Sequence, residues 1–446
     1  MRTIQAAAAA LASGKKTSRE LVEQCLTRIA DPAGEGARVF IKIHAAAART
    51  MADAADALRR AGRSPGPLAG IPVSVKDLFD VAGEPTPAGS KVLAEAPPAK
   101  TNAPLIQRML DAGFIPLGRT NMTEFAFSGL GINPHYGTPA SPWDRASKRI
   151  PGGSSSGAAV SVSDGMAFGA LGTDTGGSCR VPAAMCGIVG YKPTARRVPI
   201  DCVLPLAPSL DSVGPLANTV ACCATIDAVL AGEAPPTLRL FPLAGLRLAA
   251  PTNFFLNGID ATVAAAFDRA LKKLSDAGAR VSKTAFPVVD EIARANATGG
   301  FAVAEAYAWH RKLLAEQGNG YDPLIKKRIL RGQPMSAVDY IELIATRADI
   351  IRRFNAETQD YDALVMPTCA LIPPRIADLD DENEYNRVNM LQLRNTAVGN
   401  FLDRCSISLP CHRAGEAPVG LMLMGETMGD ARLFAIAAAV ERTLGA

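Results

Sequence analysis

Apolar residues recur with a helical period over the first sixty positions. Leu21, Val22, Cys25, Leu26 and Ile29 share one helical face. Thr17-Ser18-Arg19-Glu20, just before them, has the hydroxyl-to-carboxylate spacing of a capping box. The alanine-rich stretch behind Arg2 has the outline of an export leader, but alanine is weakly apolar and a strong helix former, so the segment reads as a helix. Residues 1–60 are therefore expected to be helical. At Gly70 the pattern changes: Ile71-Pro72-Val73-Ser74-Val75 predicts a short buried strand ending at Lys76-Asp77. A helix over 104–112, a strand over 114–117, a Gly/Pro/Ser-rich stretch over 128–157, a helix over 158–163 and a strand over 166–172 follow. Helix and strand in alternation predict an α/β layered fold.

Further on, residues 246–250 predict a strand. Val263, Phe267, Leu271 and Leu274 predict a helix stopped by Gly278. Residues 286–358 are helical by pattern and rich in charge, which suggests a helical lobe set into the α/β body. Strand character returns at 363–366, 405–409 and 419–424, and a C-terminal helix follows Asp430. At about 150 residues per domain, 446 residues allow three domains. No repeat, low-complexity tract or flexible linker divides the chain, so one domain over 1–446 is preferred.

Composition narrows the function. The chain is 48% hydrophobic with a net charge of +4, which excludes disorder and argues against nucleic acid as a partner. No apolar run is long enough to predict a membrane span. Nine cysteines at irregular spacing, without a C-x-x-C, fit reduced thiols and a cytoplasmic location. The four histidines form no close pair, so no metal is expected, and no cofactor motif is present.

Two segments carry the candidate chemistry: Pro151-Gly152-Gly153-Ser154-Ser155-Ser156-Gly157 and Gly172-Thr173-Asp174-Thr175-Gly176-Gly177-Ser178-Cys179-Arg180. Glycines at a turn let backbone N–H groups converge into a nest for an anion, either a phosphate or the oxyanion of acyl transfer. Neither segment ends in the G-K-[ST] of a phosphate loop. Gly153–Gly157 formally matches the G-x-S-x-G elbow with Ser155 as nucleophile. That elbow needs a preceding strand and a partner histidine, and here the preceding residues are polar while His310 and His412 lie in no recognisable setting.

With these segments the chain resembles the amidase signature family of serine hydrolases. The resemblance is strong over 68–215, the expected signature core. It includes Gly70–Asp77, Gly118-Arg119-Thr120-Asn121-Met122-Thr123-Glu124-Phe125, both Gly/Ser segments, 187–194 and 210–215. It implies a large mixed central sheet layered between helices. It also implies that Ser178 is the nucleophile, Ser154 a bridging serine behind a cis peptide bond, and Lys76 the base. The 24 positions between the two serines match the family's separation. Thr175, Gly176, Gly177 and Ser178 are implied as oxyanion donors, Ala126 and Ser154 as substrate contacts, and Asp174 and Arg180 as supports of the loop. The chemistry is coherent: a serine hydroxyl needs a base, and a lysine serves as one only when burial keeps it neutral. An isolated lysine is ordinarily a solvated surface residue, so the joint pattern carries the assignment. Cys179 and Cys186 read as packing residues.

Where relatives read N-x-x-G-x-P, this chain has Asn400-Phe401-Leu402-Asp403-Arg404-Cys405. The resemblance places that strip beside the acyl pocket. One branch of the family, the glutamine-amidase component (A) of the tRNA-dependent amidotransferase, carries a helical stretch that Ala304–Arg311 does not match. The expected function is hydrolysis of a small carboxamide or a carbamate (a urethanase activity). The alternatives are that glutamine-amidase component, or a non-catalytic binding protein on the same fold. The lobe at 286–358 is expected to cover the substrate channel. Homodimerisation, common among relatives, is a further expectation.

Overall fold

The computed structural model describes residues 2–445. Among them eleven strands form one sheet: β1 (Phe40–Ile43), β2 (Pro72–Lys76), β3 (Ile115–Thr120), β4 (Gly169–Thr173), β5 (Val189–Lys192), β6 (Val213–Ala217), β7 (Arg247–Pro251), β8 (Arg280–Thr284), β9 (Ala363–Pro367), β10 (Ser406–Pro410) and β11 (Gly420–Met424). The spatial order is β1-β3-β2-β4-β6-β5-β10-β11-β9-β7-β8. β2 runs parallel to both β3 and β4, and β4 runs antiparallel to β6 in full register from Gly169↔Ala217 to Thr173↔Val213. The sheet is thus mixed, with helices against it. Strands covered on both faces need apolar or small side chains throughout, and β2, β4, β5, β6, β9 and β11 are buried along their whole length.

Most predicted elements fall within a few residues of those observed. The Thr17–Glu20 capping box forms on the helix Ser18–Ile29. The N-terminal helix Ile4–Ala12 buries Ile4, Ala7 and Leu11. Two expectations need correction. Residues 1–60 are not all helical, because β1 pairs antiparallel with β3 through an irregularity between Phe40 and Lys42. The strand predicted over 166–172 is β4, shifted to Gly169–Thr173, where its register with β2 and β6 places it.

The segment 286–358 contains the helices Val288–Ala295, Gly300–Gln317, Pro323–Leu330 and Ala337–Thr358. Phe286, Val289, Ile292, Phe301, Ile350 and Phe354 pack into one apolar cluster with Leu364 and Met366 of β9 and Met422 of β11. These helices are therefore seated on the sheet. The helix Glu382–Phe401 has no counterpart in the sequence pattern. Its buried residues mix Tyr385, Val388, Val398 and Phe401 with Asn389, Gln392, Asn395, Thr396 and Asn400, so no continuous apolar stripe marks it.

Candidate active site

β2 and β4 are parallel neighbours, so their C-terminal residues, Lys76 and Thr173, emerge at the same edge of the sheet. In open α/β sheets such edges are where ligands bind. Lys76 is completely buried, yet it has no carboxylate partner among the described residues. Its Nζ lies 2.7 Å from Ser154 Oγ and 2.8 Å from Thr173 Oγ1. Burial pulls its pKa down to about 7, against the opposing pull of the Cys179, Asp174 and Asp211 charges. Desolvation penalises the ammonium, so this amine is readily neutral near neutral pH.

Ser154 is held by its backbone. The Gly153–Ser154 peptide bond is cis. The Ser154 carbonyl accepts from Thr123 N–H at 3.1 Å and Ser156 N–H at 2.9 Å, and Gly153 N–H donates to Gly129 O at 2.8 Å. Ser155, the nucleophile of the elbow reading, is fully buried with its hydroxyl directed to Thr173 O at 3.3 Å. The helix Ser156–Ser163 starts directly behind it, with no strand before the turn. His310 Nδ1 pairs with Tyr321 Oη and His412 Nδ1 lies beside Val419 O, so neither histidine serves Ser155. This geometry agrees with setting the elbow reading aside on the sequence.

The second segment leaves β4 at Asp174. Its backbone exchanges hydrogen bonds with Ser212, 2.8 and 3.2 Å long, which continue the β4–β6 pairing. The Asp174 carboxylate takes two bonds from Arg180, Nη2 at 2.8 Å and Nε at 3.0 Å, and one from Asn400 Nδ2 at 2.9 Å. Burial alone would raise its pKa, but Arg180 and Asn400 outweigh it and hold the carboxylate at about 2. The Asp174 carboxylate also accepts Cys179 N–H at 3.1 Å, so the pair clamps both ends of the loop that carries Ser178. Arg180 is fully buried and also holds Thr396 O at 2.9 Å and Asn400 Oδ1 at 2.7 Å. Removing one partner of a buried ion pair leaves an uncompensated charge. Asp174→Ala is therefore expected to cost about 3–5 kcal/mol of stability, read as a lowered urea midpoint. A loss under about 1 kcal/mol, within the usual range for exposed pairs, would show that the clamp is dispensable.

Between the clamped ends the backbone is opened. Gly177 has φ +140°, and a Cβ there would collide with Thr396 Oγ1, so only glycine fits. Thr175 Oγ1 bonds to Asp211 and the Gly176 carbonyl accepts from Thr396 Oγ1 at 2.6 Å. The N–H groups of Thr175, Gly176, Gly177 and Ser178 donate to no acceptor among the described residues. Successive N–H groups without partners on a glycine-bearing turn are the arrangement that can receive an anion. Ser178 is 4% exposed, and its carbonyl accepts from Ser155 N–H at 3.3 Å, tying the two segments together. Its hydroxyl has no hydrogen-bond partner among the described residues. The structure thus joins Lys76 to Ser154 directly and leaves the Ser178 hydroxyl free. Catalytic hydrogen bonds are often loose until substrate is bound.

Ser178, Thr175, Gly176 and Ala126 line one cleft of about 270 Å³. Ala126 reaches it from a left-handed turn, φ +60°, beside Phe125 at φ +49°. Ile292, Phe301 and Arg328 of the helices over 286–358 also line it, with Phe401 and Leu393. Asp403 and Cys405 do not line the cleft. Asp403 takes the left-handed φ of +51° that glycine would take and bonds to Ala195 N–H and Arg196, while Cys405 is buried against Glu426 O. That departure from the family's pattern therefore sits away from this cleft. Thr173, Thr396 and Asn400 are further parts of the site. Thr173 and Asn400 stand inside recognisable motifs, but nothing in the linear pattern shows that they touch Lys76 and Asp174. Cys179 and Cys186 are buried, as expected of packing residues.

The profile of the Amidase family matches residues 20–434. A 2-amino-5-chloromuconic acid deaminase of Comamonas testosteroni is 40% identical over 411 residues, 90% of this chain and 87% of that protein. The A component of the glutamyl-tRNA(Gln) amidotransferase of Chloroflexus aggregans is 34% identical over 476 aligned positions, 99% of this chain and 96% of the relative. A crystal structure of an amidase superposes with a TM-score of 0.89 at 31% identity, covering 99% of both chains.

Proposed function

The chain belongs to the amidase family, enzymes that act on the carbon–nitrogen bonds of amides, and from that membership we propose that it hydrolyses a small linear amide or carbamate through an acyl-enzyme on Ser178. One observation carries the reading. A fully buried lysine has only hydroxyl partners, one of them on the loop stitched to Ser178.

In this reading neutral Lys76 donates to Thr173 and accepts the Ser154 proton. Ser154 in turn takes the proton of Ser178 as Oγ attacks the substrate carbonyl. The oxyanion so formed lies against the N–H groups of Thr175, Gly176, Gly177 and Ser178. The proton returns through Ser154 to the departing nitrogen, the C–N bond breaks, and an amine or ammonia leaves. Water then attacks the ester with the same relay taking its proton, and the carboxylate product and free Ser178 result. A carbamate substrate would follow the same course through an alkoxycarbonyl-enzyme: its C–N bond breaks, the amine leaves, and water then releases a monoalkyl carbonate that loses carbon dioxide to give the alcohol. Ala126 borders the acyl group, Asp174 and Arg180 keep the loop in shape, and the helices over 286–358 cover the channel.

The test is ammonia or amine release from a panel of aliphatic amide, aryl amide, ureido acid and carbamate. Because the base must be neutral, kcat/KM is expected to rise with pH through about 7, the value burial gives Lys76, and to level above it. A rate that falls over that interval would remove Lys76 as the base. The near full-length match to an amidotransferase A component supports a second reading, a glutamine-hydrolysing member of a complex. Glutamine turnover that appears only when partner proteins are added would favour it.

A further inference from the structure

The cleft beside Ser178 has an unbalanced charge. No aspartate or glutamate lines it, whereas Arg328 and Arg331 both do. They sit at the C-terminal end of the helix Pro323–Leu330, three positions apart and so on neighbouring parts of one face. Cations at a helix C-terminus are ordinary, since they complement its dipole. A half-buried guanidinium in a largely apolar cleft without a counterion is not explained that way.

Arg328 is held by neutral acceptors only, Phe127 O at 2.8 Å and Asn386 Oδ1 at 3.0 Å, with its guanidinium 5.5 Å from the Tyr385 ring centre. Those bonds fix its direction without neutralising it. Asp322, whose charge Arg328 senses, spends its carboxylate capping Leu324 N–H at 2.9 Å. The neighbouring Lys327 pairs with Glu382. Arg331 is exposed and forms neither an ion pair nor a side-chain hydrogen bond among the described residues. The lining of the cleft thus combines Ser178 with the apolar Phe301, Leu393 and Phe401 and with two guanidinium groups that form no ion pair among the described residues.

Resting on the proposed hydrolysis at Ser178, we propose that Arg328 and Arg331 bind a carboxylate on the acyl portion of the substrate, so that the preferred substrates are monoamides of dicarboxylic acids with an apolar spacer. A planar guanidinium pair matches a carboxylate with charge-assisted hydrogen bonds, and the apolar walls fit the carbons between the two ends. Placing the charge on the acyl side keeps it bound through both acylation and hydrolysis of the ester. Arg331, the exposed outer member, closes over the carboxylate that Arg328 positions.

The experiment compares kcat/KM for a series of diacid monoamides with the methyl esters of their free carboxyl groups and with neutral amides of equal length. In the wild type the acid is expected to exceed its ester by about ten- to a hundredfold, the worth of charge-assisted hydrogen bonds. Arg331→Gln and Arg328→Gln should each cut that ratio about tenfold, chiefly through KM, and Arg331→Glu should reverse it. The wild-type ratio and the exposed Arg331 variants keep the test decisive if Arg328→Gln does not fold. A ratio near one in the wild type, unmoved in Arg331→Glu, overturns the assignment while leaving amide hydrolysis in place. Absence of turnover on acid, ester and neutral amide alike, with Ser178 unreactive, would instead bring down the reading on which it rests.

Discussion

Ser178→Ala is expected to abolish turnover of every substrate the wild type hydrolyses, a fall of about 10⁴-fold or more, as when other serine nucleophiles are removed. The fold should survive. The loop is shaped by the Asp174–Arg180 clamp, by Gly177 and by Thr396, and the Ser178 hydroxyl takes no part in that hydrogen bonding. Residual rate above background would come from the N–H nest, which still favours an oxyanion when the nucleophile is gone. Ammonia release, with circular dichroism to verify folding, is the measurement. A fully active variant would move the nucleophile elsewhere. Ser155 is poorly placed to inherit the role, because it is fully buried and its hydroxyl is committed to Thr173 O.

Lys76→Met should separate activity from stability. Loss of the base is expected to lower kcat by about 10³-fold, within the range known for positioned proton-transfer groups. Stability should behave in the opposite way. The folded pKa lies near 7, below the ordinary value of 10.5, because burial penalises the ammonium. Between those two values the unfolded chain binds a proton that the folded chain does not, so wild-type stability rises with pH across the interval. The lysine therefore costs roughly 4–5 kcal/mol at pH 7 relative to pH 10.5, at about 1.36 kcal/mol for each pH unit. The variant should lose that slope and match or exceed the wild type near neutral pH, less the hydrogen bonds to Ser154 and Thr173. Urea unfolding of both proteins at pH 7 and pH 9 checks it. Equal slopes would mean that Lys76 stays protonated in the folded state and is no base.

This double character explains what the sequence could and could not convey. Lys76 is recognisable as one letter in a family motif, but an isolated lysine reads as a surface residue. Its burial depends on β3 and β4 closing over β2, pairings between residues about 40 to 100 positions apart that no local pattern encodes. Asp174, Arg180 and the serines are legible because the chemistry compresses them into two short Gly/Ser segments. Thr396 is not, and Asn400 is legible only as a motif letter without its partners, because both reach the site from a helix whose buried side mixes polar and apolar residues and so shows no continuous apolar stripe. The same reasoning covers β8, whose sequence Arg280-Val281-Ser282-Lys283-Thr284 is largely polar because it forms the sheet edge beside β7. The helices over 286–358 are plain from their period. That Phe301 and Arg328 line the same cleft as Ser178 is not, since it depends on how those helices seat on the rest of the fold. Asp403 and Cys405, in the strip that the resemblance places beside the acyl pocket, lie outside the cleft for a similar reason: Phe401 lines it, but Asp403 bonds to Ala195 N–H and Arg196 instead.

The proposed chemistry converges on one covalent bond. Incubating the protein with a serine-directed fluorophosphonate and mapping the adduct by peptide mass spectrometry tests that bond directly. The expected result is a single modification on Ser178, absent in Ser178→Ala, and formed far more slowly in Lys76→Met. A modification on Ser154 or Ser155, or none at all on protein that hydrolyses amides, would contradict it.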